Sequence, residues 1–372
     1  MSGYLVSGQI EVSVFINDTE YPLGAINLLQ ALHICTTVRA SVPLLSMRIT
    51  DAQHLMDSIG LQDGVPIRVV IKAQNKDSRT YNFRSFTHTK EQAGSSFVYS
   101  IYGVWDCPLY WTSTTSAGLE GTSNDVIQQI AQKCGLKYSG VSTGDSQVWM
   151  PQNKLYRMWA KDIAAAGYVN DQSCMALGLD LDNTLVYRNI NALPAASKTI
   201  VAYQYKQDAF TAADFELTTE SGFNNAITGY QNMRYAQSSV ADDMQTQIKN
   251  LTFKADVKAP LFNTQLRDTV GRGAVRFGPI DCGNVHQNYE KAQYQNIRYA
   301  NLFNLGIRAF ITTPTNIQLL EAINFSVQKE NTDIDTANSG IYTVTGHSIY
   351  VEAATYAEQI GLARHGINEV AK

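Results

Sequence analysis

Asp145-Ser146-Gln147-Val148-Trp149-Met150-Pro151-Gln152-Asn153, running on to Trp159, sits inside the segment Thr122 to Ile190, and that segment decides the fold. It reads as two short amphipathic helices followed by a strand pair. Thr122 or Ser123 caps the first helix. Asp125 places a carboxylate in the first turn, where unpaired N–H groups and the helix dipole favour negative charge. Val126, Ile127, Ile130 and Cys134 recur at helical spacing, and Gly135 ends the run. The second helix covers about Asn153 to Ala166, with Leu155, Met158, Trp159 and Ile163 on one face and Gly167 as its stop. Cys174 to Leu181 and Thr184 to Asn189 then read as strands joined through Asp182-Asn183, residue types that adopt turn geometry readily. No catalytic arrangement calls for this combination.

Upstream, Ile10, Val12 and Val14 alternate with Glu11 and Ser13, the period-two pattern of a half-buried strand. Asn17-Asp18 supplies a turn and Glu20-Tyr21-Pro22 opens a return. Arg39 to Thr50, Ile67 to Ile71, Tyr81 to Thr87 and Phe97 to Val104 have strand character, while Leu23 to His33 and Ala52 to Ser58 are the helical candidates. Strands at such spacing predict a small barrel or sandwich over residues 1–115. Thr112 to Gly121, rich in small polar residues, marks a boundary, so the helical pair and hairpin form a second domain over 116–190.

From residue 191 to 372 the pattern is again β, with irregular connections. Thr199 to Tyr205, Ala226 to Tyr230, Ile307 to Thr312, Ala322 to Gln328, Gly340 to Thr345 and Ser348 to Ala353 read as strands. Tyr356 to Ala363 is either a closing strand or a helical turn. A weak helix over Ser238 to Gln247 and a stronger one over about Asn284 to Leu305 place a helical insertion at about 238–313. The fold class expected is therefore β-rich α+β: two small β-barrel domains flanking a small α+β domain.

Composition narrows the function. Only 17% of the 372 residues are charged, and 20 Tyr stand against 4 Trp, a mixture suited to β-structure and to neutral, hydrogen-bonding contact surfaces. The net charge of -4 and pI near 5.9, with no Lys/Arg cluster, argue against nucleic acid or an anionic membrane as partner. The N-terminus lacks the basic and apolar regions of a signal peptide, no apolar run is long enough to span a bilayer, and folding in a cytoplasm is expected. Cys35, Cys107, Cys134, Cys174 and Cys282 are scattered and odd in number, which reads as buried, reduced thiols.

The strongest catalytic pattern is Leu179-Asp180-Leu181-Asp182-Asn183-Thr184-Leu185. It resembles the first motif of haloacid-dehalogenase-type phosphotransferases, in which the first Asp attacks phosphorus and the second protonates the leaving group. Asp242-Asp243 would then be the magnesium-binding pair. That superfamily needs a doubly wound sheet, whereas here the motif sits mid-chain between β patterns, so a turn with two solvent-facing Asp is the competing reading. Cys282-Gly283-Asn284-Val285-His286 has ligand-like spacing but no second pair for a zinc site. His33, His54, His88, His286, His347 and His365 are dispersed, and Gly271-Arg272-Gly273-Ala274 is too short to cradle phosphate. Trp149 and Trp159 could stack a sugar, but Trp159 shares a face with Leu155 and Met158, favouring core packing. No catalytic, cofactor or metal residue is assigned, and no cofactor is expected.

With these features in place, the order of motifs resembles phage tail and baseplate hub proteins: the T-even-type hub, the late-control protein D family, and the hub half of VgrG. Gly60-Leu61-Gln62-Asp63-Gly64-Val65-Pro66-Ile67 resembles a hairpin of the first barrel. Ile127 to Gly135-Leu136 and Gln147 to Trp159 resemble the middle helices. Asn225-Ala226-Ile227-Thr228-Gly229 resembles the strand entering the second barrel. Ser339-Gly340-Ile341-Tyr342-Thr343-Val344 with His347-Ser348-Ile349, and Leu362-Ala363-Arg364-His365-Gly366-Ile367-Asn368, resemble the family's closing strands. The resemblance implies a homotrimer whose six barrels ring a channel and join a six-fold tail tube, or tube-initiator protein, to a three-fold central spike among other baseplate proteins. Its place would be the virion tail, assembled in the host cytoplasm. A distal-tail or receptor-binding protein is the other tail component with such a composition.

Overall fold

The computed structural model describes residues 4–6, 10–24, 27–73, 77–171, 173–203, 208–219, 232–238, 246–252, 275–279, 285–289, 292–293, 295–296, 305–328, 334–336, 338–352 and 355–364. The first β-unit comprises β1 (Tyr4–Val6), β2 (Ile10–Ile16), β3 (Thr19–Tyr21), β4 (Leu28–Thr37), β5 (Leu44–Asp51), β6 (Pro66–Ala73), β7 (Arg79–Ala93) and β8 (Ser96–Trp105), with helix α1 (Leu55–Ile59) between β5 and β6. Their order is β1-β2-β6-β7-β8-β5-β4, antiparallel throughout, with β3 also on β2. Alternation decides the inward faces: Val12, Val14 and Ile16 on β2 and Ile67, Val69 and Ile71 on β6 are buried, while their sequence neighbours are more accessible.

The small unit follows: α2 (Pro108–Thr112), β9 (Thr114–Thr115), β10 (Leu119–Gly121), α3 (Ser123–Lys133), β11 (Lys137–Ser139), β12 (Gln147–Trp149), β13 (Lys154–Leu155), α4 (Tyr156–Ala166), β14 (Met175–Leu179) and β15 (Thr184–Asn189). Thr122 is the N-cap of α3. It forms a capping box with Asp125, the hydroxyl accepting from the Asp125 N–H at 3.2 Å and the Thr122 N–H donating to Asp125 Oδ2 at 3.2 Å. Val126, Ile127 and Ile130 are buried as expected, and so is Trp159 on α4. Met158 is not. It is exposed, and the buried face of α4 is Trp159, Ala160, Ile163 and Ala164.

The second β-unit contains β16 (Lys198–Ala202), β17 (Phe210–Thr219), β21 (Leu305–Ile311), β22 (Ala322–Val327), β23 (Gly340–Glu352) and β24 (Thr355–Arg364), paired in the closed circuit β23-β22-β16-β17-β21-β24-β23. This is a six-stranded barrel, in which β16 runs parallel to both its neighbours. Between β17 and β21, β18 (Asn232–Ser238), β19 (Thr246–Thr252) and β20 (Val275–Pro279) form a separate three-stranded sheet. The β-rich α+β fold is as the sequence predicts, and Tyr356 to Ala363 proves to be a closing strand.

Several expected elements differ. Of the helix expected over Leu23 to His33, residues 28–33 instead open β4. The strands expected over Gly340 to Thr345 and Ser348 to Ala353 merge, through residue 352, into one strand, β23, with a bulge between Val344 and Gly346. Ser238 and Thr246-Gln247 belong to strands, not to a helix. Of the helix expected over Asn284 to Leu305, residues 289, 292–293 and 295–296 are helical, while Leu305 opens β21. Ala226 to Tyr230, the Asn225–Gly229 motif, Asp242-Asp243, Cys282 and His365 lie outside the described residues.

The joint between the two β-units is a backbone ladder. β23 changes partner along its length: Gly340–Thr343 pair with β22, then Gly346–Glu352 pair with Ala31–Thr37 of β4. Its other edge stays on β24. At the changeover Gly346 pairs with both Thr37 of β4 and Gly361 of β24. One core cluster spans the first β-unit and the small unit, and a second fills the barrel.

Candidate functional site

Where the three units meet lies a cleft of about 520 Å³. Its walls include Arg79, Tyr81 and Trp105 from the first unit, Asp180 to Asn183 from the β14–β15 turn, and Thr315, Gln318 and His347 from the second. The structure thus brings the sequence-predicted Asp180 and Asp182 into a polar recess, and the turn is held from every side. The Trp105 Nε1–H donates to Asn183 Oδ1 at 2.8 Å, and the Lys137 N–H donates to the Asn183 carbonyl at 3.0 Å. Asn183 itself has φ 68°, a left-handed conformation that Asn tolerates. Asp182 accepts from the Thr184 N–H at 3.0 Å and from Gln318 Nε2 at 3.1 Å. The Thr36 hydroxyl donates to the Leu179 carbonyl at 2.7 Å, tying the hairpin to β4.

The two Asp differ in environment. Asp182 is exposed, but Asp180 is 2% accessible, contrary to a turn with two solvent-facing carboxylates. Burial, with a smaller contribution from Asp182, pushes the Asp180 carboxyl up to about 6, against the Leu181 N–H, His347 and the Leu319 backbone. A phosphoryl-transfer nucleophile must be ionised and reachable at the end of a parallel strand. Asp180 is buried in the turn of an antiparallel hairpin, closed off from an incoming phosphoryl group. The described residues assemble no group of three or more His, Cys, Asp or Glu placed to hold a metal.

Behind the cleft Glu358, fully buried on β24, gathers donors from three places. It accepts from the Thr315 N–H at 3.0 Å, the Thr315 hydroxyl at 2.6 Å, His347 Nε2 at 3.1 Å and the Tyr356 hydroxyl at 2.5 Å, while Arg79 Nη1 approaches to 3.8 Å. Burial raises its carboxyl, but the hydrogen bond and charge of His347, together with Thr315 and Tyr356, outweigh that and hold it below its ordinary value.

The Asp145–Trp149 stretch also finds its role. Asp145, fully buried, accepts from the Ser123 N–H (2.8 Å) and hydroxyl (2.6 Å) and from the Tyr168 N–H (2.7 Å), joining the start of α3 to the end of α4. Gln147 Oε1 accepts from the His286 N–H at 2.7 Å, and His286 Nε2 donates to the Ala166 carbonyl at 3.1 Å. Burial lowers the His286 imidazole below its ordinary value. It is a clasp, with its Nδ1 accepting from the Asn288 N–H at 3.2 Å. Nearby, Asn296 Nδ2 donates to the carbonyls of Ala165 and Gly167, both at 2.9 Å, and its Oδ1 accepts from the Met175 N–H at 2.9 Å. Trp149 is 4% accessible and its Nε1–H donates to the Gly121 carbonyl at 3.0 Å, so its ring is not open to a sugar. Sequence reasoning misses this clasp, because it joins residues 120 or more apart.

No protein-family model matches the sequence, and no curated protein matches it. Solved structures do. A tail protein from Neisseria meningitidis superposes with TM-score 0.60 at 11% identity, over 96% of this chain and 98% of that one. The 43 kDa tail protein of prophage MuSo2 from Shewanella oneidensis gives 0.63 at 10%, over 95% and 98%. A type VI secretion component from E. coli, itself structurally similar to the T4 tail proteins gp27 and gp5, gives 0.51 at 7%, over 96% and 79%. At these identities the likeness is one of fold, and it runs nearly end to end. Among the described residues no helix is long and apolar enough to cross a membrane.

Proposed function

We propose that the chain is a structural hub of a phage tail or phage-derived particle, with no catalytic role. The observation that carries this is the nearly end-to-end match of fold to two tail proteins. Three copies would form a ring in which two β-units per chain present six similar surfaces to a six-fold tube and three to a central spike, with domains near 1–115, 116–190 and 191–372. Interfaces of that kind need large neutral surfaces rich in Tyr and hydrogen-bonding groups, which this composition supplies. Closure into a ring also protects strand edges. Its place would be the virion tail, assembled in the host cytoplasm.

The test is mass and position. Sedimentation of the purified chain should give a particle of three times the 41.1 kDa chain mass, and a particle heavier by the mass of the spike when the spike is added. Antibody labelling of intact particles should fall at the tail-tube tip. Labelling along the shaft or at fibre tips would assign a different tail component instead. The phosphotransferase reading has the burial of Asp180 against it. Magnesium-dependent phosphatase turnover, lost in Asp180→Asn, would revive it.

A further inference from the structure

The sheet shared by the two β-units contains the run β7-β8-β5-β4-β23-β24-β21-β17, in which every neighbouring pair is antiparallel. Its two end strands repeat one device. β7 pairs with β6 over Arg79–Arg84, shifts register between Ser85 and Thr87, and from residue 87 to 93 pairs with β8 alone among the described residues. β17 pairs with β16 over Phe210–Ala212, shifts register between Ala212 and Asp214, and from 214 to 219 pairs with β21 alone among the described residues. Each bulge bends its strand away from the neighbour it had and leaves an open edge. On β7 the polarity of that edge can be read. The Trp105 N–H donates to the Pro43 carbonyl, toward β5, so alternation along β8 turns Tyr102, Ser100 and Val98 toward β7. Their partners Thr87, Thr89 and Glu91 bond to β8, and His88, Lys90 and Gln92 direct their N–H and C=O groups to the open side.

Exposed edges are ordinarily blocked by proline or by a free charge. Neither open stretch contains proline. The charged side chains on them are tied within the chain: Lys90 to Asp57 at 2.8 Å, Glu91 to Arg48 at 3.6 Å, Glu216 to Arg308 at 3.1 Å, and Asp214 to the Tyr203 hydroxyl at 3.3 Å. We propose that the two open edges meet between copies, residues 214–219 of β17 in one chain adding antiparallel to residues 87–93 of β7 in a second copy. Because the strands between them alternate in direction, β7 and β17 run in opposite senses, and rotation about a ring axis preserves each sense. Head-to-tail contact therefore forms an antiparallel ladder, and such heterologous contacts close into rings. The two stretches match in length, each about 20 Å or slightly more at roughly 3.4 Å per residue. β1 and β3, also at an edge of the first unit, are three residues each and offer a far shorter ladder. Main-chain hydrogen bonds would hold the copies together without ion pairs.

The joint rests on the hub reading only for the number of copies. Hydrogen exchange of the full chain is compared at low and high protein concentration, with the sedimenting mass measured at each. On association the amides of His88, Lys90 and Gln92 should exchange at least about tenfold more slowly, with alternate amides of 214–219 slowing alongside them. Thr89 and Glu91, already bonded to β8, should change less. Gln92→Pro removes one outward N–H and no bond to β8, so it should raise the dissociation constant at least about tenfold, its urea midpoint in dilute solution staying near the parent's. A trimer whose His88, Lys90 and Gln92 amides exchange as in the single chain would overturn the joint and leave the hub reading standing. Slowed edges in an assembly of another mass would uphold the joint and overturn the three-fold ring. Slowing on β7 without slowing on β17, undiminished association of Gln92→Pro, or a chain that never associates would each overturn the joint.

Discussion

Two buried carboxylates face the same junction and respond to acid in opposite ways. Asp180 titrates near 6 in the fold against an ordinary 3.8, so the folded state binds its proton more tightly than the unfolded chain does. Its contribution to stability is therefore fully present below about 4 and is lost as pH rises through about 6. At pH 7.5 the ionised group costs up to about 3 kcal/mol, and Asp180→Asn should raise the urea midpoint there while matching the parent near pH 4.5. A midpoint lowered by the substitution at both pH values would refute this. Glu358 is held below its ordinary value, so its contribution is present above 4.5 and fades as pH falls through the folded value. Glu358→Leu strands Thr315, Tyr356 and His347 without their acceptor and should cost about 3 kcal/mol or more. Thermal unfolding at neutral pH measures that loss. The sequence marks Asp180 and Asp182 as the notable pair, but nothing local reveals that the fold buries one and leaves the other exposed.

At the level of elements, legibility follows how local the deciding physics is. The capping box and apolar stripe of α3, and the alternation of β2 and β6, are encoded within each segment and can be read there. The first part of β4 reads as a helix for a physical reason. A bulge between Leu29 and Ala31 breaks the period of two, leaving apolar residues at 28, 29, 31 and 32, a spacing that also suits a helix. On α4, the small side chains of Ala160 and Ala164 meet the core, and Met158 carries more apolar weight in a sequence pattern than in the packing. The clasp over residues 285–289 and 295–296 is invisible in the sequence because its hydrogen bonds to the small unit span about a third of the chain. Its strength can be tested at Asn296, which is 4% accessible. Asn296→Ala removes two donations and leaves the Met175 N–H without its acceptor, at an expected cost of about 2–3 kcal/mol. Hydrogen exchange should show the Met175 amide losing protection while the α3 amides keep theirs; unchanged exchange at Met175 would mean that the clasp is incidental.

Across the whole molecule, the joining of β4 to β23 makes the two β-units share one sheet, an arrangement that no local pattern announces although strand character is legible in parts of both partners. In the proposed ring such a ladder would keep the two units from swinging independently. Composition bears on what would hold such a ring together. With 17% charged residues, a net charge of -4 and 20 Tyr, contacts between copies would rest on aromatic area and neutral hydrogen bonds rather than on ion pairs. Screening shortens the reach of exposed charges from about 30 Å at roughly 0.01 M salt to about 3 Å at roughly 1 M, but leaves apolar burial intact. The trimer should therefore keep its sedimenting mass from low to high salt, and its unfolding temperature should rise with protein concentration, since folding and association are linked by mass action. Dissociation on adding salt would point to a charge-held assembly and against the neutral, tyrosine-rich interface proposed for the hub.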